Sequence, residues 1–232
     1  PKVMLADIPI PNAFAYGSPI AGSRVAVTSG MLRELEDEEV EAVLGHELGH
    51  LKNRDVQVMM FASILPAIFY FVANSMMMSA YYGVGRQREG GGTAPLLIGM
   101  VSMVIYYILT LLVLSLSRLR EYYADQRSAS VVDDGARKLS EALAKIVSSS
   151  SKMKLQRQAP ANLNSFKALF IEDPDSAERN EVALSGTRKF KTDQQLVDDI
   201  LSRKASATER ILELLSTHPN IVKRLQALQR SA

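Results

Sequence analysis

Residues Glu36 to Asn53 read EDEEVEAVLGHELGHLKN, a run without proline in which apolar residues recur at helical spacing. Acidic residues at 37–39 lie where the dipole of a helix favours negative charge. Residues four apart share a face of a helix, so His46 and His50 can offer two imidazoles to one metal ion. The stretch therefore predicts a helix that carries part of a metal site.

Glu47 adds a chemical role to this helix. It follows the first histidine and can reach a water bound to the same metal ion. Two histidine ligands and an adjacent general base form the HExxH pattern of zinc peptidases. The alternative is a helix with two surface histidines and an unrelated glutamate, but the chain has only three histidines. The metal site is the better interpretation.

Composition narrows the class of protein. A chain of 232 residues fits one or two domains, and a formal net charge of +2 gives no indication of nucleic-acid binding. The absence of cysteine excludes disulfides and thiolate metal ligands. No signal peptide is visible at the start. Because the first residue is Pro1, we expect upstream sequence to be missing.

Short extended segments precede the motif helix. Proline and glycine punctuate residues 1–35, while Asn12–Tyr16 and Arg24–Thr28 have strand character. Together they predict a small sheet.

Two uncharged blocks follow the motif helix, at 56–85 and, after a short charged turn, at 90–117. Their apolar cores, 58–78 and 94–116, each have the length of a membrane span. Pro66 interrupts the first, which membrane helices tolerate. The alternative is a pair of buried helices in a soluble domain, although soluble helices seldom stay uncharged for so long. A two-helix transmembrane hairpin is the better interpretation.

Flanking charges predict the orientation of this hairpin. Positive residues next to the spans are more numerous on the side of the motif helix, at Lys52, Arg54, Arg118 and Arg120, than in the turn, at Arg86 and Arg88. Because cytoplasmic flanks carry the excess of lysine and arginine, we expect the motif to face the cytoplasm.

The remainder of the chain reads mostly as helix. Residues 148–151 start a low-complexity segment that we expect to be mobile. Residues 164–171 are apolar enough for a strand or short helix, and 172–191 resemble a loop. Helices are predicted at 118–125, 136–147, 193–202 and 208–215, with a last one beginning at Ser216–Pro219.

A catalytic zinc site needs a third protein ligand. His218 is one candidate and Glu121, just after the second span, is the other. Asp125 lies four residues beyond Glu121, shares its helix face and can orient a ligand histidine. The alternative is that both carboxylates form surface pairs with nearby arginines. Spacing alone leaves the choice open.

The motifs and their order resemble the membrane zinc metallopeptidase family of the heat-shock protease HtpX and the CAAX prenyl proteases. HELGH at 46–50 is followed, beyond the hairpin, by EYYAD at 121–125. Other matching stretches are PNAFA at 11–15, VTSG at 27–30 and STHP at 216–219 with Arg224. The match is closer to HtpX, whose relatives usually carry two further spans ahead of the catalytic part. We therefore expect truncation before Pro1.

The resemblance implies a role for several residues. Glu121 becomes the third Zn²⁺ ligand and Asp125 its support. His218, and with it Arg224, would face the substrate carbonyl; the alternatives are a non-catalytic residue at a helix start and a solvated arginine. A further segment would bind the backbone of the substrate if it forms an exposed strand edge: Asn12, Ala13, Phe14 and Ala15. The alternative is that these residues form an ordinary core strand.

The predicted fold class is mainly α with a small β-sheet, a zincin-like metallopeptidase domain interrupted by a transmembrane hairpin. Residues 1–55 and 118–232 would be the two halves of the peptidase domain and 56–117 the hairpin. We expect a multi-pass plasma-membrane zinc endopeptidase for protein quality control under stress, with Glu47 as base. Its partners would be misfolded or membrane proteins and the lipid bilayer, not nucleic acid. The alternatives are a non-catalytic scaffold with a vestigial metal site and a dedicated peptidase for a lipidated peptide.

Overall fold

A three-stranded sheet opens the chain in the computed structural model, which describes residues 1–18, 22–83, 93–155, 192–203 and 207–231. The strands are β1 (Lys2–Ala6), β2 (Ala13–Ser18) and β3 (Gly22–Thr28), in the order β1-β3-β2. β1 runs parallel and β2 antiparallel to the central β3. β2 is therefore an edge of this sheet.

Thr28 connects the sheet to the helices that follow. Its buried hydroxyl donates a hydrogen bond to the carbonyl of Ile10 and accepts bonds from the amides of Asn12 and Met31. A turn at Ser29 and Gly30 leads into the short helix α1 (Met31–Glu34). The VTSG stretch at 27–30 thus forms a strand-to-helix turn and holds the segment that precedes β2.

The motif helix, α2, spans Asp37–Lys52, as the sequence predicts. A capping box between Glu36 and Glu39 starts it, and acidic residues fill its first turn. One face is buried and contains His46 and Glu47 among small and apolar residues. The side chains of His46 and Glu47 therefore face the interior of the domain.

Two long helices, α3 (Asp55–Gly83) and α4 (Thr93–Val131), contain the uncharged blocks. Both are long and apolar enough to cross a membrane, and only 11% of either apolar window is buried. Small residues let them approach closely, since a Cβ on Gly99 would lie 2.9 Å from the side chain of Met77. Apolar helices with an apolar exposed surface match the predicted membrane segments.

Residues 55–117 form one compact unit, and residues 1–54 with 118–232 form another. The hydrophobic core of the second unit lies largely between α2, α5 (Gly135–Leu155), α6 (Asp193–Leu201) and α8 (Ile221–Gln229). Lys145 reinforces it from α5, with Nζ 2.8 Å from Glu39 Oε1 and 2.9 Å from Asp193 Oδ2. The helices that carry the motif and the C-terminal residues thus share one core.

The structure corrects one sequence prediction. Residues 148–151 were expected to start a mobile segment, but α5 continues through them to Leu155. Ser149 is buried, and serine is tolerated there because its short side chain fits a packed helix face. The predictions for 164–171 and 172–191 lie outside the described residues.

The C-terminal helices follow the prediction more closely. α6 and α7 (Ala207–Leu214) match the predicted segments within about a residue. α8 begins at Ile221, capped by the side chain of Asn220, so Pro219 precedes the helix and is not in its first turn. The fold class, mainly α with a small β-sheet, is confirmed.

Candidate metal centre

His46 and His50 present their ring nitrogens to one point. The Nε2 atoms of the two rings are 3.1 Å apart, and the rings are nearly perpendicular, at 89°. His46 is buried, whereas the side chain of His50 keeps 18% of its surface exposed. The i, i+4 spacing on α2 produces this convergence directly.

Glu121 closes the group from a different helix, α4. Its Oε2 lies 3.6 Å from His46 Nε2, and its Oε1 lies 3.6 Å from His50 Nε2. One ligand atom from each of the three residues can be chosen so that all lie within 4.8 Å of one another. The structure thus brings together the three residues predicted as metal ligands.

The donor set fits a zinc ion. Tetrahedral bonds of about 2.0–2.1 Å place neighbouring ligand atoms roughly 3.3 Å apart, close to the separations observed here. Oε2 of Glu121 is buried and accepts no hydrogen bond within the described part of the chain. Asp125 Oδ1 lies 2.9 Å from His46 Nδ1, which favours a ring proton on Nδ1 and leaves Nε2 for a metal.

Glu47 is buried beside these ligands and is held by the sheet. Its Oε2 accepts a hydrogen bond of 2.9 Å from the backbone amide of Ala15 in β2. Burial raises the pKa of the Glu47 carboxyl, and the charges of His46 and His50 offset this only in part. The edge strand and the proposed base are therefore in direct contact.

Neighbouring side chains shift the pKa values of His46 and Glu121. Burial opposes a charge on His46, but the contacts with Asp125 and Glu121 outweigh it and raise the pKa of His46 to about 9. Burial also acts against the charged form of Glu121, yet His218 and His46 hold the pKa of that carboxyl well below its usual range. The site thus favours anionic carboxylates around a cation.

Arg224 lies against the two carboxylates of α4, Asp125 and Glu121. It is fully buried and binds Asp125 through two hydrogen bonds, Nε to Oδ2 at 2.9 Å and one NH2 nitrogen to Oδ1 at 2.6 Å. Burial alone would raise the pKa of Asp125, but Arg224 lowers it. The structure places Arg224 behind the carboxylates; its predicted contact with substrate stays a prediction.

His218 approaches from the loop between α7 and α8. Its Nδ1 lies 3.6 Å from Oε2 of Glu121, and 14% of its side chain is exposed. It therefore lies beside the ligand group with access to solvent. Of the two candidates for the third ligand, Glu121 completes the compact group and His218 is its neighbour.

The predicted substrate segment, residues 12–15, divides into two parts. Asn12 and Ala13 are buried, and the backbone of Asn12 is bonded to Thr28 of the sheet. Phe14 and Ala15 are partly exposed on the edge strand. An edge strand suits backbone recognition, and only the second part of the segment is open to it; substrate binding there stays a prediction.

Sequence reasoning missed how closely α2 and α4 pack. A Cβ on Gly49 would lie 3.1 Å from the Cα of Ala124, and one on Gly45 would lie 3.0 Å from Oγ of Ser128. That hydroxyl donates a 2.6 Å hydrogen bond to the carbonyl of Ala42. Two glycines four residues apart, Gly45 just before HExxH and Gly49 within it, were the available signal, because they mark a face where another helix approaches.

Comparison with known proteins adds an independent observation. The family model described as peptidase family M48 matches residues 1–232. The chain belongs to peptidase family M48. M48 membership, with a His-His-Glu group in the structure, supports a metalloprotease.

Relatives of the M48 chain carry the name protease HtpX homolog. One from Thermoplasma acidophilum is 36% identical over 99% of this chain and 67% of its own length. One from Aeropyrum pernix is 40% identical over 100% of this chain and 70% of its own length. Another, from Saccharolobus solfataricus, is 46% identical over 68% of this chain and 49% of its own length. Where the match covers nearly all of this chain, it covers about two thirds of the relative's own length.

A solved structure shares the fold of this chain. The crystal structure of S. mikatae Ste24p matches with a TM-score of 0.54 at 16% identity, covering 98% of this chain and 46% of that one. At this identity the likeness concerns the fold alone. The predicted resemblance to HtpX-like membrane metallopeptidases is confirmed.

Proposed function

We propose that this M48 chain is a zinc-dependent endopeptidase that cleaves misfolded or membrane proteins at a membrane surface. The observation that carries the proposal is the convergence of His46, His50 and Glu121 from two helices, with Glu47 beside them. Two imidazoles and one carboxylate leave a coordination position for water or substrate, as catalytic zinc sites do.

His46, His50 and Glu121 would hold the zinc. When bound, the ion would polarise the scissile carbonyl and lower the pKa of a water molecule. Asp125 orients the His46 ring through Nδ1, and Arg224 holds Asp125 in turn. These two residues thereby act on the orientation of a ligand.

Glu47 would serve as general base and then as general acid. Its carboxylate takes a proton from the attacking water and delivers it to the leaving amine. The amide of Ala15 holds one carboxylate oxygen, which restrains the side chain. Because this amide belongs to the edge strand, substrate pairing along β2 would lie next to the base.

His218 would stabilise the developing oxyanion. Its ring lies next to Glu121, is partly exposed, and can donate a hydrogen bond towards a carbonyl held at the ligand group. Arg224 is fully buried and bonded to Asp125, so we assign to it the role of holding Asp125.

The membrane setting supports the substrate class. α3 and α4 are long, apolar and little buried, and HtpX-like members of the family are membrane metallopeptidases. More positive charge lies at the motif end of the two spans than at the turn. We therefore propose a multi-pass plasma-membrane enzyme whose active site faces the cytoplasm.

Peptidase assays on Glu47→Gln test the proposal. This variant should keep zinc and lose activity on casein and on a membrane-protein substrate by about 10²–10⁴-fold, because proton transfer is removed while the ligands remain. Glu41→Gln, six residues earlier on the exposed side of α2, is the matched control and should behave as the parent.

Other results point to the alternatives. A Glu47→Gln variant that keeps more than about a tenth of the parental activity removes Glu47 from the base role. Zinc binding without Glu47-dependent cleavage would indicate the scaffold. Cleavage confined to a prenylated peptide would indicate the dedicated processing enzyme.

A further inference from the structure

Arg118 makes contacts that neither the metal group nor the membrane spans require. It lies on α4, three residues before Glu121, so both side chains leave the helix on neighbouring positions of one face. One terminal guanidinium nitrogen of Arg118 donates to the backbone carbonyls of Glu213, Leu214 and Ser216, at 3.0, 3.2 and 2.8 Å. A charged donor on three carbonyls is a strong local restraint.

These carbonyls belong to the end of α7 and to the residues directly after it. The last carbonyls of a helix have no partner within the helix, and a cation there also complements the negative end of the helix dipole. Arg118 therefore caps the C-terminal end of α7 and fixes the point at which the chain turns towards His218.

Glu213 extends the same restraint across the loop. Its carboxylate accepts hydrogen bonds from the amide of Asn220 at 3.2 Å and from Nζ of Lys223 at 2.5 Å. The amide of His218 is bonded to the hydroxyl of Ser216 at 3.2 Å. The loop is thus held at its start by Arg118 and across its ends by Glu213, with His218 between them.

We propose that Arg118 is a positioning residue that holds the 213–220 loop so that His218 stays beside Glu121. The inference rests on the proposed role of His218 in catalysis. One turn of α4 then carries both a metal ligand, Glu121, and the restraint on the residue that faces the substrate. The separation of 3.6 Å between His218 Nδ1 and Glu121 Oε2 is the geometry that Arg118 maintains.

A double-mutant cycle tests whether Arg118 acts through His218. Arg118→Met should lower kcat by about 10- to 100-fold with KM changed less than about twofold, since a displaced catalytic group costs rate more than binding. His218→Asn should lower kcat by about 10²–10³-fold. In the His218→Asn background, Arg118→Met should cause less than about a twofold further loss, because its effect is already removed.

Two further variants separate positioning from general structure. Arg118→Lys keeps a cation with three donors and should retain more activity than Arg118→Met. Arg137→Met removes an arginine that is 39% exposed and pairs with Asp134, with Glu141 and, on α2, with Glu38. None of these partners is in the 213–220 segment, so this variant should match the parent within about twofold. If Arg118→Met does not fold, Arg118→Lys takes its place in the cycle.

Hydrogen exchange supplies a readout that does not depend on activity. Amides in peptides covering 213–220 should exchange faster in Arg118→Met than in the parent or Arg137→Met, while peptides from α2 stay protected. Unchanged exchange in this loop, or kcat losses that multiply in the double variant, would overturn the proposal. If the parent itself lacks peptidase activity, the proposed function fails, and the exchange result alone decides whether Arg118 holds the loop.

Discussion

Asp125 shows at the residue scale how this site depends on groups that do not bind metal. It contacts His46 Nδ1 at 2.9 Å on one side and is bound by Arg224 through two hydrogen bonds on the other. All three side chains are almost completely buried. A buried arginine with a paired carboxylate costs less to keep charged than either group alone, so Arg224 and Asp125 depend on each other.

Asp125→Asn tests this dependence. The amide loses the charge that orients the His46 ring, so zinc affinity should fall by about 10- to 100-fold. Competition with a chelator of known affinity measures the change. Asp133→Asn, at an exposed aspartate just beyond α4, is the control and should bind zinc as the parent does. Equal zinc affinity in Asp125→Asn and the parent would mean that His46 is oriented by other contacts.

Sequence reasoning succeeded at this scale where spacing within one helix carries the information. The i, i+4 pairs His46 with His50 and Glu121 with Asp125 each define one face. It could not show that Arg224 is fully buried, or that the amide of Ala15 binds Glu47, because these contacts join residues 99 and 32 positions apart. Such pairs are set by tertiary packing, which a local pattern does not encode.

At the scale of elements, the site depends on the close approach of α2 and α4. Gly45 and Gly49 on α2 face Ala124 and Ser128 on α4, so the helices pack backbone to backbone on the flank of the ligands. Because α2 carries two of the proposed ligands and α4 the third, any change in the separation of these helices changes the distances between the ligand atoms.

Gly49→Val tests this packing. Its side chain would press on Ala124, so we expect the free energy of unfolding to fall by about 1–3 kcal/mol and zinc affinity to fall with it. Chemical denaturation in detergent and zinc competition measure the two effects. Glu41→Val places the same side chain on the exposed side of α2, where helix propensity changes by only a few tenths of a kcal/mol, and should change both quantities little. A Gly49→Val variant with parental zinc affinity would show that the helix spacing is not critical.

The sequence predicted α2 almost to the residue, because an acidic start and helical periodicity without proline define it. It did not predict the continuation of α5 through residues 148–151, because a run of serines has weak helix propensity and only burial against the core sustains the helix there. The sequence also did not predict the parallel pairing of β1 with β3, since strand order depends on contacts between distant segments.

At the scale of the whole molecule, residues 1–54 and 118–232 form one compact unit, and the apolar stretches of α3 and α4 lie between its two parts in the sequence. We propose that these helices form a membrane hairpin that enters and leaves on one side. Because the chain has no cysteine, single cysteines can report the side of each segment without background.

Cysteine labelling tests the hairpin. A cysteine at Ser130, exposed near the end of α4, should react from the cytoplasmic side. One at Gly91, which lies between the two uncharged blocks and outside the described residues, should react from the opposite side. Labelling of both positions from the same side in sealed vesicles would rule out a spanning hairpin.

The central claim is that α2 and α4 together build one zinc site, and the zinc affinity of Glu121→Gln tests it most directly. Chelator competition should show one tight zinc in the parent and in the control Glu41→Gln. In Glu121→Gln the affinity should fall by more than about 100-fold, beyond the range for groups that only orient a ligand. A Glu121→Gln variant that binds zinc as tightly as the parent would contradict the account.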